Sequence, residues 1–467
     1  MKRLSTSEKE RASTPAKERA SAPASDRPPR GPGVTGRRRG PWRRAGRAAS
    51  GVVLAAMALI VAVQGPAQAA PVSGSTPWMV LLCTPSDASG ATVAPDAYRR
   101  MFTSRGDAAH PTLYDYWGQV SNYRINLTYS DVSTHWVPTD RTLAQLRTEG
   151  RAEKLQDCIR AAGPEVSNPE SFFGIMAIWN VDFNTFRAPG DTKNYGDSGE
   201  TGGGPVTRTL NGTTKLYAGV VIEPWAAYLS YLAHEMGHGY GLEHSFGSGN
   251  CVAGLTGPAA TEYCDPYDVM GQSYRGLNGP GMNAFNLDKL GFIPPGRRAD
   301  VTAGTGARRV LTLTSLSAPN PTGYLTANVY TGNGTDRYLT IEYRRSLNLD
   351  KGINVGPSGG VVIHRVTHDV VPGHTLPLSY LITRSADWRD GAWTVGQTFG
   401  GGEHIHIAVQ AIDPVANTAT VVITGPPGVV QGPPPSSGGN GQGAGGCGST
   451  GCGQHPPGWT PGPIRFQ

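Results

Sequence analysis

The segment 233–244, A-H-E-M-G-H-G-Y-G-L-E-H, constrains this chain more than any other stretch of it. His234 and His238 stand four residues apart, so on a helix their imidazoles share one face about one turn apart. Two nitrogen donors at that separation suit a tetrahedral Zn²⁺ ion. Gly241 follows where a helix can end on a left-handed residue without a Cβ penalty. A sharp turn there can bring His244 back as a third ligand. Three protein ligands leave one position for water, the arrangement of a catalytic rather than a structural zinc. Glu235, beside the first ligand, can take the proton of that water. H-E-x-x-H alone recurs by chance in unrelated chains. The extended H-E-x-x-H-x-x-G-x-x-H fixes three histidines in a chain that has only 11, and chance is then a poor explanation.

The ends of the chain do not look like domain material. Residues 1–50 are crowded with Lys, Arg, Ser, Pro and Gly, and an apolar run, GVVLAAMALIVAV, follows at 51–63. That run is too short to span a bilayer. With Ala67-Gln68-Ala69 behind it, it reads as a secretory signal peptide over 1–69 with a long basic n-region. Residues 1–69 hold 14 Lys and Arg against 4 Asp and Glu, so removing them turns a net charge of +6 into about −4. Nucleic-acid binding thereby loses its main support. No later run is long and apolar enough for a membrane span, so the mature form is expected to be secreted and extracellular. At the other end, 426–467 is a Gly/Pro-rich tail that cannot bury a core.

Six cysteines in an exported chain suggest disulfides. Six cysteines allow 15 full pairings; spacing favours Cys251–Cys264 and Cys447–Cys452, which leaves Cys83–Cys158. Between the ends, 78–83, 172–181 and 216–222 read as buried strands, 123–136 as a strand or hairpin, and 141–162 as a long helix. Residues 182–204 form an Asp-, Asn- and Gly-rich loop that could hold Ca²⁺, although turn chemistry accounts for the same residues. A helix then opens at Pro224 and runs to about Gly239. Strands and helices in this order predict an α/β (α+β) domain over 70–295. Beyond it, short β-branched segments at 310–315, 327–330, 338–343, 360–366, 404–412 and 419–424 predict an all-β, sandwich-like domain over 296–425.

Some 25 residues beyond His244 lies Met270, within Cys264-Asp265-Pro266-Tyr267-Asp268-Val269-Met270-Gly271. Alone, Met270 would be read as core filler. Beside the extended histidine motif, the chain resembles the metzincin zinc peptidases, which place a methionine turn beneath the zinc ligands. D-P-Y-D-V-M-G followed by Asn283-Ala284-Phe285-Asn286 and Lys289-Leu290-Gly291-Phe292 is similar to the gametolysin family and, more loosely, to immune inhibitor A-type secreted peptidases. Further likeness lies in LYDYWGQVSNYRIN at 113–126, RYLTIEYRR at 337–345 and GVVIHRV at 360–366. The immune inhibitor A group lacks a histidine at the third-ligand position, so His244 favours the gametolysin side. The resemblance implies a metzincin-like catalytic domain with a zinc-binding active-site helix. Its activity would be hydrolysis of protein or peptide substrates, with His234, His238 and His244 on one catalytic Zn²⁺, Glu235 as general base and Met270 in the Met-turn.

Weaker candidates accompany these. Tyr274 stands four residues beyond Met270, where packing accounts for it as well as contact with the metal does. Asp268 could bond to a ligand histidine, or simply serve its turn. His364, His368, His374, His404 and His406 lack ligand spacing relative to the main motif and read as ordinary histidines. Two alternative functions remain open at this stage: a secreted binding or adhesion protein acting through the β domain, and a zinc hydrolase of cell-wall peptides.

Overall fold

Along Trp78–Thr84 (β1) alternate side chains enter two different cores. Trp78, Val80 and Leu82 pack on one face of the sheet, and Met79, Leu81 and Cys83 on the other. A strand covered on both faces reads as a continuous apolar run, and WMVLLC is one. The structure is a computed structural model, and it describes residues 72–88, 90, 92–106, 111–183, 206–224, 229–251, 258–271, 280–302, 308–318, 322–330, 337–371, 374–400 and 405–425. The expected signal peptide, the Gly/Pro tail with Cys447 and Cys452, Tyr274, His404 and most of the 182–204 loop lie outside these residues.

The α/β part continues with helices Pro95–Thr103 (α1) and Leu113–Val120 (α2), strand Asp131–Val132 (β2), helix Arg151–Ala162 (α3) and strand Gly174–Trp179 (β3). Strands Val206–Leu210 (β4) and Thr213–Ile222 (β5) and helix Leu229–Gly239 (α4) complete it. The sheet order is β2-β1-β3-β5-β4, parallel except for the β4–β5 hairpin at its edge. That hairpin turns at Asn211-Gly212, both at positive φ, as a tight two-residue turn requires. Helices α2 and α4 cover one face, with Trp117, Leu232 and Met236 against Val80 and Met176. Helix α3 covers the other face and is tied to β1 by the Cys83–Cys158 disulfide.

Two expectations shift. The segment 123–136 is not a hairpin: Ile125–Asn126 and β2 are two-residue strands that pair parallel with Gly74–Ser75 and β1. Asn122 and Tyr123 take left-handed φ, and the Asn126 side chain accepts from Thr128 N–H, so the chain turns rather than extends. The 141–162 helix breaks at Gly150 into Leu143–Leu146 and α3. Within the described residues, the metal-motif helix starts at Leu229, and 225–228 are not described. Helices α1 and α2 were not anticipated at all. A capping box between Thr112 and Asp115 starts α2.

After α4 come strand Phe246–Gly247 (β6) and helix Ala284–Lys289 (α5), then strands Arg298–Thr302 (β7), Arg308–Thr314 (β8), Thr326–Tyr330 (β9), Tyr338–Arg344 (β10), Gly360–Thr367 (β11) and Leu378–Leu381 (β12). Strands Thr398–Gly400 (β13), His406–Asp413 (β14) and Thr418–Thr424 (β15) end the described chain. Two sheets, β7-β9-β10-β11-β12-β6 and β8-β15-β14-β13, face each other over a shared core of Val329, Ile341, Ile363, Val409, Val421 and Ile423. The fold is mixed α+β. Strand β6 lies two residues beyond His244 yet joins the β part, pairing Phe246 with Tyr380 and Gly247 with Leu381. The chain just after the histidine motif is therefore stitched into the sandwich.

Candidate metal centre

Helix α4 presents the first two histidines and then stops where it must. Gly241 has φ 88°, Leu242 N–H bonds to Gly237 C=O at 3.0 Å, and Gly241 N–H bonds to His238 C=O at 2.8 Å. These are the two bonds of a Schellman ending. The reversed chain delivers Leu242 C=O to His238 Nδ1 at 2.8 Å and carries His244 to the same side as His234 and His238. Tyr240 anchors this end of the helix. Its ring lies 4.6 Å from Trp117 and 5.0 Å from Phe173, and its hydroxyl accepts from Trp78 Nε1.

The donor atoms of His234, His238 and His244 lie within 4.8 Å of one another, and the group can hold a metal ion. His238 Nε2 and His244 Nε2 are 3.0 Å apart. Each imidazole has its other nitrogen engaged: His234 Nδ1 at 2.7 Å from Val269 C=O, His238 Nδ1 at Leu242 C=O, and His244 Nδ1 at 2.5 Å from Glu262 Oε1. Every one of those acceptors requires the proton on Nδ1, which leaves the lone pairs on Nε2. Burial lowers the pKa of His234 to about 4, against the Val269 hydrogen bond and the Glu262 charge, which act to raise it. Burial also takes His238 and His244 well below the ordinary value, helped by the neighbouring histidines. Three imidazoles with converging lone pairs can hold a metal ion, and two unprotonated nitrogens 3.0 Å apart repel each other unless a cation lies between them. Glu235 is buried on the same helix beside His234.

Met270 packs beneath the helix: a methyl group on Gly237, between His234 and His238 in sequence, would collide with the Met270 sulfur. Its turn is held from several sides. Asp268 Oδ1 accepts from Met270 N–H, and Asp268 Oδ2 accepts from Asn283 N–H and Asn286 Nδ2. This gives the Asn283-Ala284-Phe285-Asn286 motif a physical role, because both asparagines grip the carboxylate that shapes the turn. Burial and the Asp265 charge push Asp268 up to about 7, against those hydrogen bonds. Asp265 accepts from Ser245 Oγ at 2.7 Å and His364 Nε2 at 2.9 Å. Below this layer, fully buried Arg344 bonds to Asp350 and to Glu342 Oε1, and Glu342 Oε2 accepts from Ala284 N–H.

Several residues had escaped sequence reasoning. His374, which had read as ordinary, places Nδ1 3.1 Å from Glu243 Oε2 and Nε2 3.4 Å from Glu262 Oε1, beside His244. His364 is fully buried on Asp265, whereas His406 is exposed on β14. Tyr263, at a left-handed φ of 64°, sets its ring 4.0 Å from that of His244. A tyrosine adopts that backbone only when its surroundings hold it there. None of these has a spacing signal, because 131 residues separate Glu243 from His374. The Cys251–Cys264 disulfide expected from spacing is present and closes the loop that carries Glu262 and Tyr263. A cavity of 690 Å³ opens elsewhere, between Val120, Met282, Phe292, Leu316 and Asp350; no histidine lines it, so it is not the seat of the triad's chemistry.

No family model matches the chain, and no curated protein matches it.

Proposed function

We propose that this chain is an exported zinc-dependent metalloendopeptidase of the metzincin type. One observation carries the reading: all three ligand imidazoles have Nδ1 committed to an acceptor while their Nε2 atoms converge. Three imidazole donors suit zinc, and His234, His238 and His244 would hold it. When bound, the ion supplies Lewis acidity, polarising a scissile carbonyl and lowering the pKa of a water. The Glu235 carboxylate would act as general base, taking a proton from the attacking water and giving it to the leaving amine. Met270 supports the ligand helix from below, which fits the Met-turn of the resemblance. Two disulfides are consistent with an oxidising destination, and no described helix is long and apolar enough to cross a membrane.

The test is Glu235→Ala. The variant should keep one metal ion and its fold while cleavage of casein falls about 10²- to 10⁴-fold, the usual contribution of a general base. Undiminished cleavage overturns the mechanism. Cleavage of cell-wall peptides but not of casein by the unaltered protein would move the substrate class.

A further inference from the structure

We propose that Glu262 and His374 are positioning residues that fix His244 as the third ligand, an inference that rests on the zinc reading above. The first two ligands find their Nδ1 acceptors in backbone carbonyls, Val269 and Leu242, which the methionine turn and the helix end hold in place. His244 stands beyond the helix and, among the described residues, has no such carbonyl as a hydrogen-bond partner. Its acceptor is the Glu262 carboxylate, at 2.5 Å.

Glu262 is itself held. Its backbone bridges to Phe246, two residues past His244, and it precedes the disulfide-bonded Cys264 by two positions. Its Oε1 also faces His374 Nε2 at 3.4 Å. His374 reaches back through Nδ1 to Glu243 Oε2, and Thr375 N–H donates to Glu243 Oε1 at 3.0 Å. Glu243 is the residue before His244. Three side-chain contacts, Glu243–His374, His374–Glu262 and Glu262–His244, thus close a ring through the Glu243–His244 peptide link, and a segment of the β part locks the ligand loop. Phe246 packs edge-on against the His374 ring and keeps it in place.

A carboxylate on the far nitrogen of a ligand histidine fixes its tautomer and raises its basicity. Glu262 also brings a negative charge next to a site whose three ligands are neutral. The β part therefore contributes to the centre directly, although none of its residues is a ligand.

The test uses the full secreted chain and three variants: Glu262→Ala, Glu262→Gln and His374→Ala. Zinc affinity is measured by chelator competition, and ligand geometry by the visible absorption of the Co²⁺-substituted protein. Glu262→Ala should weaken zinc about 10- to 100-fold and alter the Co²⁺ spectrum, the usual cost of losing such a partner. Glu262→Gln, whose amide oxygen still accepts from Nδ1, should recover much of that loss, and His374→Ala should show a smaller one. If Glu262→Ala does not fold, the other two carry the test. Wild-type affinity and spectrum in Glu262→Ala and His374→Ala overturn the proposal. So does a second zinc equivalent that disappears in His374→Ala, which would make His244, Glu262 and His374 a metal site of their own. An unaltered chain that binds no zinc overturns the metal reading itself, and the two failures are thereby told apart.

Discussion

The two sides of the candidate centre are built differently. His234 and His238 belong to one helix, and α4 fixes their separation by its own geometry. His244 belongs to a loop whose partners come from far along the chain: Glu262 from the disulfide-closed segment, and His374 from the connection between β11 and β12. Local structure sets the spacing of the first side, and only His234 reaches outside it, to the Val269 carbonyl of the methionine turn. The second side exists only once the α/β part and the sandwich have packed together. A helix spaces two histidines with one outside acceptor, whereas placing His244 takes a network.

The contrast can be broken or sharpened by variants, beginning with the largest effect. Arg344→Met leaves Glu342 and Asp350 buried without their cation, and such uncompensated charges cost about 3–5 kcal/mol. Urea unfolding should show that loss. Because Glu342 also holds Ala284 N–H at the start of α5, the methionine turn should loosen with it. A change below 1 kcal/mol would mean that the buried network does not support the loop side. Replacing Cys251 and Cys264 together by Ser should cost about 3 kcal/mol in the chain-entropy view of a short closed loop. It should also weaken zinc binding by freeing Glu262. Unchanged zinc affinity in that double variant would show that the ring around His244 needs no tether.

The smallest effect is on pH dependence. Burial alone would lower the pKa of His364, but the Asp265 charge and hydrogen bond outweigh it and raise it above the ordinary value of 6.5. The protonated histidine therefore stabilises the fold fully below pH 6.5, and that contribution is lost as pH rises through the folded value. Burial likewise would raise Asp265, yet His364 brings it below the ordinary 3.8, so its share is present above pH 3.8 and is lost as pH falls through the folded value. Unfolding curves taken upward from pH 6 should fall more steeply for the unaltered chain than for His364→Gln. Parallel curves would remove this pair from the account.

What the sequence made legible divides along the same line. The helix pair, the glycine ending at Gly241 and the buried strands at Trp78 and Ile175 follow from spacing within a few residues or from apolar runs; Cys251–Cys264 follows from its short separation, and Cys83–Cys158 only as the pair left over. The β-rich character after 296 was equally visible, because alternation is a local signal. Glu262, His374, Asp265 and Arg344 were not visible, since each acts through a contact that only tertiary packing creates. His374 illustrates the limit: with no ligand spacing it read as an ordinary histidine, and it is the β12 pairing with β6 that brings its segment beside His244. The helices α1 and α2 were missed for a simpler reason. They are short, and their apolar positions are masked by charged and glycine residues in DAYRRM and YWGQ.

His234, His238 and His244 are proposed to share one ion. The most direct test is elemental analysis of the purified chain alongside His238→Ala. One zinc per chain in the unaltered protein, and none above background in the variant, is the predicted result. No stoichiometric metal in the unaltered protein, or zinc retained in full by the variant, would contradict it.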